Sequence, residues 1–330
     1  MLILAKSALS MMIGFIIAVL FGLVFIPVLK KINAKQRVSV FLSKKHKSKD
    51  GVPTMGGLIF IIPTILTILI LLLTNKIETS WHLFIVLFVF ISYAMLGFID
   101  DYLIIKRKNN IGLTEFQKLF GQILIAIAFY ILFIVSGNDP SLSIHTLGIN
   151  IPMGHFFGLF ILLVLVATSN AVNLTDGLDG LAGGLSTIAF LAFGIIAWGT
   201  TWIEGSGDIA VFCFILVGAL LGFLVYNDQP AKVFMGDTGS LSLGATLAAI
   251  AILTSHEVTL VVVAGVFVFE TITCIIQMVA GRYFGKRVFL MAPYHHHLEK
   301  IGWCERDIVK LFWVIGLVLA MGAIAFGVWI

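Results

Sequence analysis

The chain has 330 residues, of which 60% are hydrophobic and only 12% charged, and its mean hydropathy is +1.09. A soluble chain is roughly a quarter charged, so this one has too little polar surface to coat a globule, and a set of ordinary soluble domains is excluded. The formal charge of +4 does not indicate nucleic acid, because the basic residues occupy short loops between apolar runs, where they set membrane topology.

The runs are long enough for transmembrane helices, which need about 20 apolar residues. Helices are required because each backbone N–H and C=O in lipid must find a partner within the spanning structure, and the alternating strands of a membrane barrel are absent. Ten spans are predicted, near residues 8–29, 56–74, 81–99, 116–136, 154–171, 181–199, 209–226, 238–254, 258–280 and 308–329. The fold class expected is therefore an all-α polytopic membrane protein forming one integral membrane domain over residues 1–330. The first run, Leu9 to Leu29, exceeds the apolar core of a cleavable signal and reads as a retained span.

The loops differ sharply. Lys30, Lys31, Lys35, Arg37, Lys44, Lys45, Lys47 and Lys49 crowd the first, and Lys106, Arg107 and Lys108 lie in the loop 100–115. Lys232, Arg282, Lys286, Arg287, Lys300 and Arg306 follow in later loops on the same side. An excess of lysine and arginine marks the cytoplasmic side, and an even number of spans then puts both termini outside. The outward segment 137–153, with Gly137, Pro140, Gly148 and Pro152, is expected to form a small hairpin. Cys213, Cys274 and Cys304 are far apart and lack metal-ligand spacing, so neither a disulfide nor a zinc site is expected.

Four clusters on the basic side carry chemistry. The third span ends in Leu-Gly-Phe-Ile-Asp100-Asp101-Tyr, where adjacent carboxylates favour a metal, a proton or a basic partner. A solvated helix end is the bland alternative, although acidic charge is disfavoured at a helix C-terminus. Next, Asn170-Ala-Val-Asn173-Leu-Thr-Asp176-Gly177-Leu-Asp179-Gly180 packs hard oxygen ligands and glycines into a short connection. Such ligands suit Mg²⁺, and glycine lets backbone approach a phosphate. The spacing is not that of an EF-hand.

Phe234-Met-Gly236-Asp237-Thr238-Gly239-Ser240 opens the eighth span. A helix N-terminus can hold an anion, and Asp237 within a phosphate site would need an intervening cation. The fourth cluster is Met291-Ala-Pro293-Tyr-His295-His296-His297-Leu-Glu299-Lys300. Three successive side chains diverge too widely to share one ion, so hydrogen bonding or proton transfer at a diphosphate is the functional reading. Lys49 and Thr54, in Lys49-Asp-Gly51-Val-Pro53-Thr54-Met-Gly56-Gly57, could add cation and hydroxyl contacts. Glu270 lies inside the ninth run with Gln277. An intramembrane ionisable group marks function by default, but Glu270 could equally be satisfied between helices and is left unassigned.

Together these motifs resemble the polyprenyl-phosphate N-acetylhexosamine-1-phosphate transferases. The Pro-Thr-Met-Gly-Gly run and the His-His-His-Leu-Glu ending narrow the likeness to the phospho-N-acetylmuramoyl-pentapeptide transferases, in order over nearly the whole chain. The resemblance implies a multi-pass enzyme of the bacterial cytoplasmic membrane. It implies Mg²⁺-dependent transfer of phospho-N-acetylmuramoyl-pentapeptide from UDP to undecaprenyl phosphate, giving lipid I and UMP. This is the first membrane step of peptidoglycan synthesis, on which cell shape and division depend.

Carried onto this chain, the resemblance makes Asp237 the principal Mg²⁺ ligand with Asp176 beside it. Asp100 becomes a general-base candidate and Asp101 shapes the same electrostatic site. His295, His296 and His297 would hold diphosphate and metal-linked water together with Asp176. Lys49, Thr54, Asn170, Asn173, Asp179, Asn227 and Phe234 become substrate-binding candidates, with Phe234 stacking on uracil. Direct attack by the lipid phosphate is preferred over a covalent phospho-aspartate route, and the resemblance suggests a homodimer. The rivals are a sister transferase of N-acetylglucosamine-1-phosphate, a transporter, whose polar residues would follow a path across the bilayer, and a non-catalytic scaffold.

Overall fold

A computed structural model of the chain describes residues 2–32, 34, 51–77, 79–107, 112–144 and 148–329. Lys49 and Lys108 lie outside the described residues, as do the other lysines and the arginine expected in the loop 35–50. The described elements are α1 (Leu2–Lys31), α2 (Leu58–Leu73), α3 (Trp81–Arg107), α4 (Glu115–Val135), β1 (Ser141–Ile144), β2 (Ile149–Pro152), α5 (Phe156–Thr175), α6 (Leu181–Gly199) and α7 (Ser206–Asn227). They continue with α8 (Gly236–Leu253), α9 (Glu257–Val263), α10 (Gly265–Phe284), α11 (Tyr294–Lys300), α12 (Glu305–Ile324) and a π-helical turn over Ala325–Trp329.

Among the described residues, nine helices are long and apolar enough to cross a bilayer, and α2 is a shorter apolar helix of 16 residues. The all-α polytopic expectation therefore holds. Several boundaries move: α5, for one, runs on to Thr175 and carries Asn170 and Asn173 on the helix rather than in the connection after it. The third span does not stop at residue 99, because α3 runs on to Arg107 and takes Asp100 and Asp101 inside the helix. The expected span 258–280 is two helices, broken at Ala264. Gly265 accounts for part of that break, since glycine is a weak helix former. Its missing side chain also admits Leu319 of α12, whose Cδ1 would lie 2.8 Å from a Cβ there.

Side chains from α1 to α12 join in one hydrophobic cluster, and α8 sits at its centre. Every residue from Thr238 to Leu253 is buried. Its glycines, alanines, serines and threonines let neighbouring backbones approach closely, as membrane helices do where lipid offers no hydrophobic drive to association. Gly244 faces the backbone of Thr168 and Ser169 in α5, and Ser242 Oγ donates to the Phe90 carbonyl of α3 at 2.8 Å. The outer helices instead expose large apolar side chains, among them Leu20, Leu23 and Val24 of α1 and Phe116, Ile127 and Val135 of α4.

The hairpin expected within 137–153 is present, with β1 and β2 antiparallel and Ser141 opposite Pro152. Ser143 and Ile144 border the turn 255–259 and the chain at Phe326 and Gly327. That turn follows the C-terminus of α8. The four motifs gather around the N-terminus of α8, about 27 Å away at a helical rise of ~1.5 Å per residue.

Candidate active site

The start of α8 organises the site. Gly236 has φ +75°, a conformation that favours glycine. A Cβ there would also come 2.6 Å from Asp101 Oδ2 and 2.7 Å from Thr54 Oγ1. The amides that begin a helix have no intrahelical acceptor, and here α3 supplies one. Asp101 accepts from Asp237 N at 3.2 Å and Thr238 N at 3.0 Å, and the Thr238 hydroxyl donates to it at 2.6 Å. Asp101 is thus a buried cap from another helix, with its negative charge at the positive end of the α8 dipole.

Asp237 is held from two sides. Lys118 Nζ of α4 lies 2.5 Å from Oδ2, while Asn173 Nδ2 of α5 donates to Oδ1 at 2.8 Å and to Ser240 Oγ at 2.8 Å. Lys118 also lies 3.4 Å from Asp100 Oδ1, which accepts from Leu113 N at 2.8 Å. The α4 start that places Lys118 is fixed by a capping box. Thr114 Oγ1 accepts from Gln117 N at 3.2 Å, and Gln117 Oε1 accepts from Thr114 N at 3.1 Å. A cavity of about 370 Å³ lined by Leu113, Glu115, Lys118, Leu119, Gln122 and Asn170 opens beside this lysine. Asn170 donates to the Val166 carbonyl at 2.8 Å and to Gln122 Oε1 at 3.4 Å.

Asp176 ends α5. Burial pushes its carboxyl up to about 7, and the charges of Asp237, Asp101 and Asp179 push the same way, against a hydrogen bond from the Gly236 amide. Burial is the larger cause, and the three neighbouring carboxylates add negative charge to the same place. Hard carboxylate and carboxamide oxygens around that charge fit a divalent cation such as Mg²⁺. Thr54 adds a hydroxyl that is buried and has no hydrogen-bond partner among the described residues.

The histidine run splits in two. His295 and His296 face the turn after Asp176, their rings 4.2 Å apart between centroids. A Cβ on Gly177 would come 3.3 Å from His296 Nε2 and closer still to His295 Nε2, so glycine is what lets the pair approach. His296 Nδ1 lies 2.7 Å from Glu299 Oε2. His297 turns to its own loop, where Nδ1 accepts from Leu290 N at 3.2 Å and the ring packs on Tyr294 and Phe289. Glu270 of α10 accepts from Tyr294 N at 2.7 Å and His295 N at 3.2 Å. It is satisfied by the backbone of the histidine helix.

Asp179, Asn227 and Phe234 join the surrounding loops. Asp179 Oδ2 accepts from Ala231 N at 3.0 Å, and its own amide donates to Glu305 Oε1 at 2.9 Å. Asn227 accepts from Gly180 N at 3.1 Å and donates to the Val233 carbonyl at 3.0 Å. The backbone of Phe234 pairs with Pro53 and Gly56 at 2.8 Å each, which seats the Thr54 segment beside α8. Asp100, Asp101, Asn173, Asp176 and Asp237 thus converge with Thr54, and His295 and His296 lie next to Asp176. Asp179 and Asn227 stand one layer behind. Lys118, Thr238, Ser240, Gln122, Glu270 and Glu305 also contribute, and the sequence reading assigned none of them.

The family model for glycosyl transferase family 4 matches residues 82–255, which include Asp100, Asp101, Lys118, Asn173, Asp176 and Asp237. Over 323 residues the chain is 47% identical to a phospho-N-acetylmuramoyl-pentapeptide-transferase of Geobacillus sp. (strain WCH70), covering 98% of both chains. It is 46% identical over 322 residues to the protein of that name from Geobacillus thermodenitrificans, covering 97% of this chain and 98% of the relative. Against the Bacillus subtilis protein of the same name it is 44% identical over 322 residues, covering 97% and 98%.

Proposed function

From the premise that the chain belongs to glycosyl transferase family 4 and to the phospho-N-acetylmuramoyl-pentapeptide-transferases, we propose the reaction it performs. It moves phospho-N-acetylmuramoyl-pentapeptide from the UDP-linked sugar to undecaprenyl phosphate, with Mg²⁺, giving lipid I and UMP. It does so as one integral unit over residues 1–330, with the site facing the cytoplasm, both termini outside, and two copies associated.

The observation that carries this reading is the convergence of Asp100, Asp101, Asp176 and Asp237 on the start of α8, with Lys118 bonded to two of them. Phosphoryl transfer needs chiefly alignment and charge neutralisation. Asp237 and Asp176 would hold Mg²⁺, which would neutralise diphosphate charge. Asn173 orients Asp237, and Asp101 fixes the helix that carries it. The His295–His296 pair lies where the diphosphate would meet the Asp176–Gly177 turn. Lys49, Thr54, Asn170 and Phe234 are proposed on the substrate side, with Asp179 and Asn227 shaping the loops that receive the nucleoside.

A lipid acceptor is supported by an apolar groove of about 510 Å³ between α5 and α9–α10. Ala171 in its wall is two residues from Asn173. An oxygen of the lipid phosphate attacks the β-phosphorus, and the bond from that phosphorus to the oxygen leaving with UMP breaks. Asp100, next to Lys118, takes any proton carried by the attacking phosphate.

Purified protein supplied with undecaprenyl phosphate and either the UDP-linked muramoyl-pentapeptide or UDP-N-acetylglucosamine tests the donor by UMP release. UMP from the second donor alone would overturn the assignment. A phosphorylated protein trapped with UDP-sugar in the absence of lipid would replace direct attack by a covalent route, and the mass in detergent reads the copy number.

A further inference from the structure

Glu270 is fully buried in α10, where a carboxylate is costly without good partners. It spends its oxygens on α11. Oε2 accepts from Tyr294 N at 2.7 Å and Oε1 from His295 N at 3.2 Å, two of the amides that a helix start leaves without partners. A third contact is of another kind. His295 Nδ1 lies 3.3 Å from Oε2, yet neither ring nitrogen of His295 has a directed hydrogen bond among the described residues. The ring lies beside the carboxylate.

An uncharged oxygen would suffice for the two amides, as Ser, Thr and Asn side chains do at most helix starts. The side chain that lies against the carboxylate is His295. It is fully buried, with Glu270 behind it and Gly177 in front, and the His296 ring lies against it.

We propose that Glu270 is a positioning residue that holds His295, and through it the His295–His296 pair, against the Asp176–Gly177 turn by its charge as well as by its two amide contacts. The kinetic part of this inference rests on the phosphoryl-transfer reading above. The positional part does not.

Two variants separate charge from capping. Glu270→Gln keeps an oxygen for the amides and removes the charge, whereas Glu270→Asp keeps the charge on a shorter stem. Groups that orient a site residue from behind typically cost about 10–100-fold when changed. Glu270→Gln is therefore expected to lose about 10–100-fold in kcat while its KM for the UDP-linked donor stays within about threefold, and Glu270→Asp recovers part of the loss.

A readout independent of turnover is histidine modification by diethyl pyrocarbonate, mapped by mass spectrometry of the peptide around His295. His295 stays protected in the unaltered protein and becomes modified in Glu270→Gln. That pattern in a preparation with no transferase activity would still support the positioning while removing the reaction assigned to the site. Unchanged kcat with unchanged protection in Glu270→Gln would overturn the proposal. So would equal losses in both variants accompanied by equal drops in unfolding temperature, which would leave Glu270 as a cap alone.

Discussion

Asp101 of α3 accepts both the backbone amide and the side-chain hydroxyl of Thr238 in α8, at 3.0 and 2.6 Å. This pairing makes the position of Asp237, one residue earlier, depend on α3. Hydrogen bonds to a charged group contribute about 1.5–3 kcal/mol each, and Asp101 receives three. Asp101→Ala is expected to lower stability by about 3 kcal/mol or more and to abolish turnover. Thr238→Val, which keeps the amide contact, costs about 1–2 kcal/mol and leaves measurable turnover. Unfolding midpoints in detergent, read with initial rates, check both. An Asp101→Ala protein that unfolds at the original temperature would show that this cap is not holding α8.

Lys118 ties Asp237 to Asp100. Removing one preorganised charge from a reacting centre typically costs about 10²–10³-fold in rate. Lys118→Met should lose about that much in kcat while still binding UMP with near-original affinity, since the residues proposed for the nucleoside side, Asp179 and Asn227, bond to the 231–233 loop and Gly180 rather than to Lys118. Calorimetric titration with UMP beside the rate assay reads the two effects separately. Loss of nucleotide binding in step with rate would move Lys118 to the donor's binding surface.

The pH behaviour follows from Asp176, whose carboxyl is pushed up to about 7 from an ordinary 3.8, by burial first and then by Asp237, Asp101 and Asp179. The fold favours its protonated form. That contribution to stability is fully present below the ordinary value and is lost as pH rises through about 7. Without divalent cation, the unfolding temperature should therefore fall by several degrees between mildly acidic and mildly alkaline buffer. Mg²⁺, which binds the ionised form, should raise it more at the alkaline end, and Asp176→Asn should flatten both trends. An Mg²⁺ effect that is the same at both ends would detach Asp176 from the metal.

Much of this architecture was legible in the sequence because lipid imposes long apolar helices and loops carry the charge. Leu181–Gly199 begins and ends where its apolar run does. The hairpin announced itself through Gly137, Pro140, Gly148 and Pro152. The true end of α3 did not, since Asp100 and Asp101 look like a boundary to hydropathy. They are tolerated inside the helix only because amides of α8 and Leu113, together with Lys118, meet them. Lys118 gave no signal of its own, and its role appears only when α4 packs beside α3 and α5 and the lysine reaches Asp100 and Asp237. Glu270 did give a signal, an acid inside an apolar run. Its partners are backbone amides more than twenty residues away, which no side-chain pattern records.

In the proposed reaction the Asp237 site uses Mg²⁺ to pass a phospho-sugar from UDP to a lipid phosphate. The most direct measurement is UMP release by purified protein from UDP-N-acetylmuramoyl-pentapeptide, with undecaprenyl phosphate and Mg²⁺ supplied or withheld, for the original chain and for Asp237→Asn. UMP should form only when lipid and metal are both present, and the folded Asp237→Asn protein should form none. Substantial Mg²⁺-dependent release by Asp237→Asn, or release that needs no lipid acceptor, would overturn that reaction.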